Sequence, residues 1–340
     1  MKQGIKNAMK LIVFLLLAAV LILELNRVFF YYDKTVWSTD NRVKSYRELP
    51  EDSVDVLFLG SSNLMSGLNP VQLWEETGIQ SYNLCSRAQT FPFAYEYLKD
   101  ALRTQTPKCV VLDAYSVFSD KWYNGLANSE FHFGINMDNL SLESKLDLLD
   151  PYVEKEDRLS YIFPLLKNHN YYKTWENTED VTDQIFMGYC FADSHEYFEA
   201  PVYTDMVTPM GETDTIYLTK IIELCQENNI DLYVIKTPVV YSDEEHSVLN
   251  GVKQLCEQYQ VEFYDMTSDA ADWGFNYNDD MLNFFHNNTT GAAKVTTRLG
   301  GILSERYDFS TSSTHQYSYV WQEEYDRMVA FRTPAEPATE

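Results

Sequence analysis

The stretch VDVLFLGSSN, Val54 to Asn63, places a short apolar run directly before a glycine and two serines. Apolar runs of this length that end at a turn signal are typical of a buried strand. The run therefore predicts a strand over Val54–Leu59 and a turn at Gly60. Whether one of the two serines also reacts depends on what else the chain brings to this end of the strand.

Alternating strand and helix patterns continue from this point. NPVQLWEETG (69–78) and PFAYEYLKDALRTQ (92–105) are typical of helices, whereas GIQSYNL (78–84) and KCVVLDAY (108–115) are typical of strands. The order strand–helix–strand–helix–strand predicts an α/β fold with a parallel sheet. Ligands of such sheets bind at the carboxyl ends of the strands, which is where Ser61 and Ser62 lie.

The alternation stops at about residue 117 and resumes at about residue 210, which predicts a helical and irregular insertion over 117–210. The later patterns predict helices near 213–229, 245–259 and 289–307 and strands near 230–238 and 261–266. We therefore expect three regions: 1–32, an α/β domain over 33–307, and a C-terminal tail over 308–340 with one further helix.

The N-terminal region has the pattern of a membrane segment. Lys2, Lys6 and Lys10 precede Leu11–Leu23, a run without polar side chains, and tolerating Glu24, Asn26 and Arg27 extends the apolar region to Tyr32. About 20 residues are needed to span a bilayer. A cleavable signal peptide is the alternative, but no small-x-small cleavage site follows the run. We expect an uncleaved single-pass anchor with its lysine-rich end in the cytoplasm and residues beyond about 33 outside it.

Composition limits the partners of the chain. The 340 residues are 45% hydrophobic, which is enough for a substantial core, and the net charge is −25. Four of the 26 basic and one of the 51 acidic residues lie in 1–32, which leaves 22 basic and 50 acidic residues after it. This balance excludes nucleic acid as a partner. The five cysteines show neither CxxC nor metal-ligand spacing, so no metal and no particular disulfide is predicted.

A reactive serine needs a base, most often a histidine oriented by a third group. Of the six histidines, His286 stands out because it lies in DDMLNFFHNNTTGAAK (279–294), after the last predicted strand and before the last long helix of the predicted domain. A loop at that position reaches the carboxyl edge of the sheet. We therefore expect His286 to lie near the two serines, Ser61 and Ser62.

Together these motifs resemble the SGNH/GDSL hydrolase superfamily, and within it the membrane-anchored bacterial branch similar to D-alanyl transfer (DltD-like) proteins and polysaccharide O-acyltransferase domains. The resemblance covers about residues 54–115 and 213–306, through FLGSSN, SYNLCSRAQ, VVLDAY, VIKTP and HNNTTGAAK. It implies a flavodoxin-like three-layer domain, Ser62 as nucleophile and His286 as base. It implies no cofactor.

Several positions depart from the pattern of the superfamily. Ser61 stands where many relatives have aspartate, and the third block, VVLDAY, lacks the usual asparagine and offers Asp113 and Tyr115 instead. The aspartate expected three residues before the histidine is Asn283, with Asp280 upstream as a substitute acid, and the usual glycine of the second block is Cys85. The resemblance then implies oxyanion donors at the Ser62 and Cys85 backbone N–H groups and the Gln89 side chain. Substrate contacts are expected at four further positions, namely Asn63, Asp113, Tyr115 and Asn288.

Three hypotheses about function remain open. In the first, the chain is an anchored serine esterase or O-acyltransferase whose substrate is a cell-envelope glycan or another acyl ester, with the bilayer and a membrane-bound O-acyltransferase as partners. In the second, it is a binding or scaffold protein on the same fold that has lost catalysis. In the third, the motifs are accidental, and Ser62 and His286 lie far apart.

Overall fold

The computed structural model describes residues 2–30, 32–118, 129–169 and 179–333. The chain divides into two compact units: one holds Asp33–Leu140 and Asp180–Glu340, and the other holds Met1–Tyr32 and Ser141–Glu179. The predicted insertion lies partly outside the described residues, and its described part is shared between the two units.

Nine strands occur among the described residues. In chain order, β1 to β9 are Val56–Leu59, Ser81–Asn83, Cys109–Asp113, Ile185–Phe186, Tyr189–Cys190, Asp231–Lys236, Glu262–Asp265, Met281–Asn283 and His286–Asn287. Five of them form one all-parallel sheet in the order β2-β1-β3-β6-β7. Counted within the sheet, this is the 2-1-3-4-5 order of flavodoxin-like folds. The predicted α/β fold class with a parallel sheet is confirmed.

The centre of the sheet consists of β1 and β3, in which every residue is buried. Parallel strands are covered by helices on both faces, which explains their nearly continuous apolar sequences. Phe58 pairs with Val111 and Leu59 with Leu112. β3 thus extends one residue beyond the end of β1, to Asp113, and the residues that follow the two strands meet at one edge of the sheet.

Thirteen α-helices occur among the described residues. In chain order, α1 to α13 are Lys2–Val28, Thr39–Arg47, Ser62–Gly67, Pro70–Thr77, Phe91–Ala101, Ser129–Asn139, Leu142–Tyr152, Arg158–Ile162, Pro164–Asn168, Glu212–Glu227, Asp243–Gln258, Thr289–Arg306 and Ser318–Arg332. Helices predicted around the sheet occur close to their predicted ends. Helices α2 and α3 and the short pairs β4–β5 and β8–β9 were not predicted, and α3 begins where the sequence indicated only a turn.

Local capping chemistry explains why α4 starts and stops where the sequence indicates. The Asn69 side chain accepts hydrogen bonds from the backbone N–H groups of Val71 and Gln72, and Pro70 occupies the first turn. Gly78 ends the helix at φ +77°, a left-handed conformation that glycine adopts at little cost.

Helix α1 comprises 27 residues and is about 40 Å long at 1.5 Å per residue. Its side chains are largely exposed, and it ends at Val28, four residues before the predicted limit at Tyr32. Among the described helices it is the one whose length and composition fit a membrane span or a signal sequence. Its orientation stays a prediction.

The turn after β1 tolerates no side chain at residue 60. Gly60 has φ +153°, and a Cβ atom there would lie 2.3 Å from the Asp113 Cβ atom. We expect Gly60→Ala to lower the free energy of unfolding by about 1–3 kcal/mol, measured by urea denaturation of the full chain in detergent. Gly301→Ala on α12 is the control, because nothing lies within 4 Å of the added Cβ. Replacing a glycine inside a helix by alanine is expected to raise the free energy of unfolding by about 0.4–1 kcal/mol. Equal effects would contradict the close approach.

Candidate active site

The turn after β1 gives its two serines different surroundings. Ser61 is 2% exposed, and its hydroxyl donates to Asp113 Oδ2 at 2.8 Å and accepts from the Asn63 N–H at 3.3 Å. Ser62 is the first residue of α3 and is partly exposed. The hydroxyl of Ser61 is therefore engaged in the turn, whereas that of Ser62 faces the edge of the sheet.

The hairpin β8–β9 presents His286. Its strands pair antiparallel through Met281 with Asn287 and Asn283 with His286. The buried Asn287 side chain donates to the Pro238 carbonyl, just beyond β6, at 2.9 Å. This bond fixes the hairpin over the end of β6 and so sets the position of the imidazole.

The three polar side chains form one relay. Ser62 Oγ lies 2.8 Å from His286 Nε2, and His286 Nδ1 lies 2.9 Å from Asn283 Oδ1. The accidental-motif hypothesis expected the serine and histidine far apart, and this distance contradicts it. Both contacts are within hydrogen-bond reach, which is the geometric requirement for a nucleophile and its base.

The Asn283 amide also settles which imidazole nitrogen carries the proton. The Phe285 backbone N–H donates to Asn283 Oδ1 at 3.0 Å. A backbone N–H only donates, so the atom facing it must be the amide oxygen and not the NH₂ group. Since that oxygen also faces His286 Nδ1, the proton lies on Nδ1 and Nε2 is left free to accept from Ser62.

Burial lowers the pKa of His286 to about 4. The ring is therefore neutral at pH 7 and ready to accept a proton from the serine. Because the folded-state pKa lies below the ordinary value of 6.5, the unfolded chain binds this proton more readily. The contribution of His286 to stability is present above about pH 6.5 and is lost as the pH falls toward 4.

Asp280 is not brought to the histidine. Its Oδ2 atom accepts from Lys294 Nζ at 2.7 Å and from the Asn276 N–H at 2.6 Å, while Oδ1 has no partner among the described residues. Both His286 nitrogens already have other partners. The Asp280 carboxylate instead links α12 to the start of the hairpin. Asn283 is therefore the residue that occupies the place of the orienting acid beside His286 Nδ1.

Two of the three predicted oxyanion donors are engaged inside the protein. Gln89 Oε1 accepts from the Gly60 N–H at 2.6 Å, and its Nε2 donates to the Leu84 carbonyl and to Ser86 Oγ, both at 3.1 Å. The Cys85 N–H donates to Asn83 Oδ1 at 3.3 Å. Within the described part of the chain, the Ser62 N–H has no hydrogen-bond partner, so it remains the available donor.

The four predicted substrate contacts are buried, with Asn63 1%, Asp113 0%, Tyr115 4% and Asn288 4% exposed. The Tyr115 hydroxyl donates to Glu245 Oε1 at 3.0 Å, and Asn288 caps α12 by accepting from the Gly291 N–H at 3.0 Å. Asp113 receives the Ser61 hydroxyl and the Tyr115 N–H, although burial still raises its pKa to about 6. Asp113, Tyr115 and Asn288 are therefore engaged within the protein and do not line the opening of the site.

The Asn63 side chain is the exception among these four. Its Nδ2 atom is buried without a hydrogen-bond partner in the described part of the chain, one residue after Ser62. In that part of the chain no group of three or more His, Cys, Asp or Glu side chains is arranged to hold a metal ion. All five cysteines are buried and free.

Sequence reasoning missed one aromatic neighbour of the base. The Trp37 ring centroid lies 5.1 Å from that of His286. Trp37 belongs to the irregular segment between α1 and α2, which carries no motif or period, so no sequence signal singles it out.

No family model matches the chain, and no curated protein matches it by sequence. Among solved structures, the chain is similar to a protein named as an acylhydrolase from Bacteroides fragilis, at 10% identity and a TM-score of 0.40, covering 78% of this chain and 94% of that one. It is also similar to an acetyl xylan esterase from the rumen bacterium Butyrivibrio proteoclasticus, at 10% identity and a TM-score of 0.32, covering 76% of this chain and 65% of that one.

Proposed function

We propose that the chain is a membrane-anchored serine esterase or O-acyltransferase of the SGNH type, acting on acyl esters of cell-envelope glycans. The observation that carries the proposal is the relay from Ser62 Oγ through His286 to Asn283 Oδ1, with contacts of 2.8 and 2.9 Å. The proton position on Nδ1 and the low pKa of His286 leave Nε2 as an unprotonated base beside a partly exposed hydroxyl.

The first half-reaction forms an acyl-enzyme. Ser62 Oγ attacks the ester carbonyl carbon as its proton passes to His286 Nε2, and the carbonyl oxygen becomes an oxyanion. The Ser62 N–H supplies a hydrogen bond to that oxyanion. When the tetrahedral intermediate collapses, the C–O bond to the alcohol breaks, and the leaving oxygen takes the proton back from Nε2.

The second half-reaction releases the acyl group by the same steps in reverse. Water or a sugar hydroxyl gives its proton to Nε2 and attacks the acyl carbon, and Ser62 leaves with that proton. Hydrolysis and transfer thus differ only in which hydroxyl reaches the acyl-enzyme. The anchored α1 and the resemblance to DltD-like and polysaccharide O-acyltransferase proteins support transfer to a glycan.

The predicted anchor and the net negative charge indicate where the acyl groups come from and which substrates are favoured. With α1 in the bilayer, the acyl groups are supplied by a membrane-bound O-acyltransferase that loads them from the cytoplasmic side. The 22 basic and 50 acidic residues after residue 32 repel polyanions at long range. This charge favours a neutral ester or glycan over a strongly acidic one.

A second candidate is a binding or scaffold protein that retains the fold without the reaction. Two observations favour it: Asn283 brings no negative charge to the base, and the Cys85 and Gln89 donors are engaged within the protein. Such a protein would bind the same glycan or ester and leave it unchanged.

A fluorophosphonate probe tests the proposal directly, because it forms a covalent adduct only with an activated serine. We expect the full chain in detergent to be labelled once, on the tryptic peptide that contains Ser62, as located by mass spectrometry. A folded protein that shows no adduct and no turnover of acetyl esters or acetylated glycans would overturn the proposal in favour of the scaffold.

A further inference from the structure

Trp37 covers the candidate base from a separate segment of the chain. The two ring centroids are 5.1 Å apart with the ring planes at 57°, and both side chains are partly buried. This separation lies in the range in which aromatic rings make direct contact. The indole therefore occupies space beside the imidazole that water would otherwise fill.

A buried arginine fixes the backbone on both sides of this tryptophan. Arg42 is fully buried and donates to the carbonyl oxygens of Val36 at 3.0 Å, Ser38 at 2.8 Å and Gly188 at 2.6 Å. The guanidinium is planar and presents its donors in a rigid fork. The two residues that flank Trp37 are thus held by one immobile group.

A second arginine holds Trp37 itself. Arg87 Nε donates to the Trp37 carbonyl at 3.2 Å, and its Nη2 atom pairs with Asp33 Oδ2 at 3.0 Å and donates to Thr35 Oγ1 at 2.8 Å. Thr35 Oγ1 in turn accepts from the Trp37 N–H at 3.2 Å. Residues 33–38 are consequently a clamped strap, in which the backbone that carries the Trp37 side chain is fixed beside His286.

We propose that Trp37, whose backbone is clamped by Arg42 and Arg87, is a positioning residue of the base. Its indole excludes water from the His286 imidazole and holds the imidazole toward Ser62. The catalytic meaning of this role rests on the proposed function. Removing water from around an imidazole destabilises its charged form more than its neutral form, so the neutral form is favoured. Burial is likewise the cause of the lowered pKa of His286.

No ion pair accounts for the same effect. Charged groups on the elements around His286 are Asp113 below the turn after β1, the Asp280–Lys294 pair behind the hairpin and the Asp33–Arg87 pair on the strap. The segment that bonds to β8 and to the start of α12 adds the Asp193–Arg332 pair and Glu196, both in solvent-exposed positions. The paired groups are already engaged within the protein, and the exposed Glu196 is screened by solvent. Among the described residues, the hydrogen bonds and ring contact of the His286 imidazole are with Ser62, Asn283 and Trp37, all of which are uncharged.

The test is the pKa of His286, measured by NMR titration of the full chain in detergent after selective labelling of histidine, with His286→Gln to assign the signal. We expect Trp37→Ala to raise that pKa from about 4 by about one unit or more toward 6.5. Trp37→Phe keeps an aromatic cover and should stay near the wild-type value. Trp74→Ala, on α4, is the control and should leave the titration unchanged.

The same variants predict a shift in the pH profile of fluorophosphonate labelling. In Trp37→Ala, the pH range over which the labelling rate rises should move to higher pH. The rate at pH 5, divided by the maximum rate that the same variant reaches at higher pH, should then be about twofold or more below the wild-type ratio. Trp37→Phe should restore the wild-type ratio. Loss of labelling at every pH without a shift of this pH range would indicate a merely structural role and overturn the proposal.

A second variant covers the case in which Trp37→Ala does not fold. Arg87→Lys keeps the positive charge but removes the fork that holds Trp37, and we expect a smaller rise of the His286 pKa in the same direction. An unchanged or lower pKa in the folded variants would overturn the role of Trp37. If the wild type takes up no probe at all, the proposed function fails, while the NMR titration still decides whether Trp37 covers the base.

Discussion

Replacing Ser62 by alanine is expected to abolish fluorophosphonate labelling and to reduce turnover of an acetyl ester by about 10⁴-fold or more. Removing the nucleophile of a serine relay leaves only the contribution of binding and oxyanion stabilisation. His286→Ala should cause a loss of similar size, because Ser62 Oγ would lose the acceptor that lies 2.8 Å away. The measurement is the steady-state rate of purified full-length protein, with circular dichroism to show that each variant is folded.

The matched control is the neighbouring serine. The Ser61 hydroxyl binds Asp113 and caps α3, so Ser61→Ala should cost stability, about 1 kcal/mol for the lost cap, and yet retain labelling. The double variant Ser62→Ala/His286→Ala should be no worse than either single variant, since residues that act as one unit are non-additive. Retained turnover in folded Ser62→Ala would assign the activity to another group and contradict the relay.

Asn283→Asp is expected to raise turnover by about 10- to 10³-fold. An aspartate here would place a negative charge on the acceptor of the His286 Nδ1–H, at the present distance of 2.9 Å. An opposite charge at this range raises a histidine pKa by about 1–3 units, and the imidazolium formed during the attack is stabilised to a similar degree. The rate at pH 8 and the pKa from the acidic limb of the pH profile measure both effects.

The size of this gain follows from the proton position inferred from the hydrogen bonds of Asn283. In the serine-protease example of the reverse exchange, the loss of about 10⁴-fold arises from the wrong tautomer. Here the Phe285 N–H orients the Asn283 amide so that its oxygen faces Nδ1, and the correct tautomer is already present. Only the missing charge remains to be restored, and the expected gain is therefore smaller than 10⁴-fold.

The same variant separates the two candidate functions. Asn283→Gln is the control, because it keeps an amide without a charge while displacing it by one methylene, and it should lower turnover. A weakened enzyme gains activity with the aspartate and loses it with the glutamine. No turnover in the wild type or in Asn283→Asp, with a normal fold, would support the scaffold.

Much of this fold was predictable because its signals are local. The continuous apolar run Val56–Leu59 indicates a doubly covered strand, and the Asn69-Pro70 start and Gly78 stop of α4 each lie within a few residues. The alternation of such segments predicts a parallel sheet. The short hairpin β8–β9 was missed because its strands, Met281–Asn283 and His286–Asn287, are too short to show a period.

Side-chain partners were predicted less well than backbone elements. Gln89 and Asp113 were expected to face the substrate, yet both are buried and hydrogen-bonded to the nucleophile turn. Asp280 was expected as a substitute acid, yet it pairs with Lys294. A motif states which residue types lie near a site, but each of these polar groups binds whichever partner lies within about 3 Å once the sheet has formed.

Patterns within short segments were therefore sufficient for the class of fold, the sheet edge that carries the site, and the expectation that His286 lies near the two serines, whereas the choice of Ser62 came from the resemblance to SGNH/GDSL motifs. The three-dimensional arrangement was needed for everything that depends on distant residues: the amide of Asn283 on Nδ1, the strap that holds Trp37, and the low pKa of the base. The physical reason is that strand and helix signals act over a few residues, whereas Ser62 and His286 meet across 224 positions of the chain. Burial, which sets the basicity of the histidine, exists only in the packed molecule.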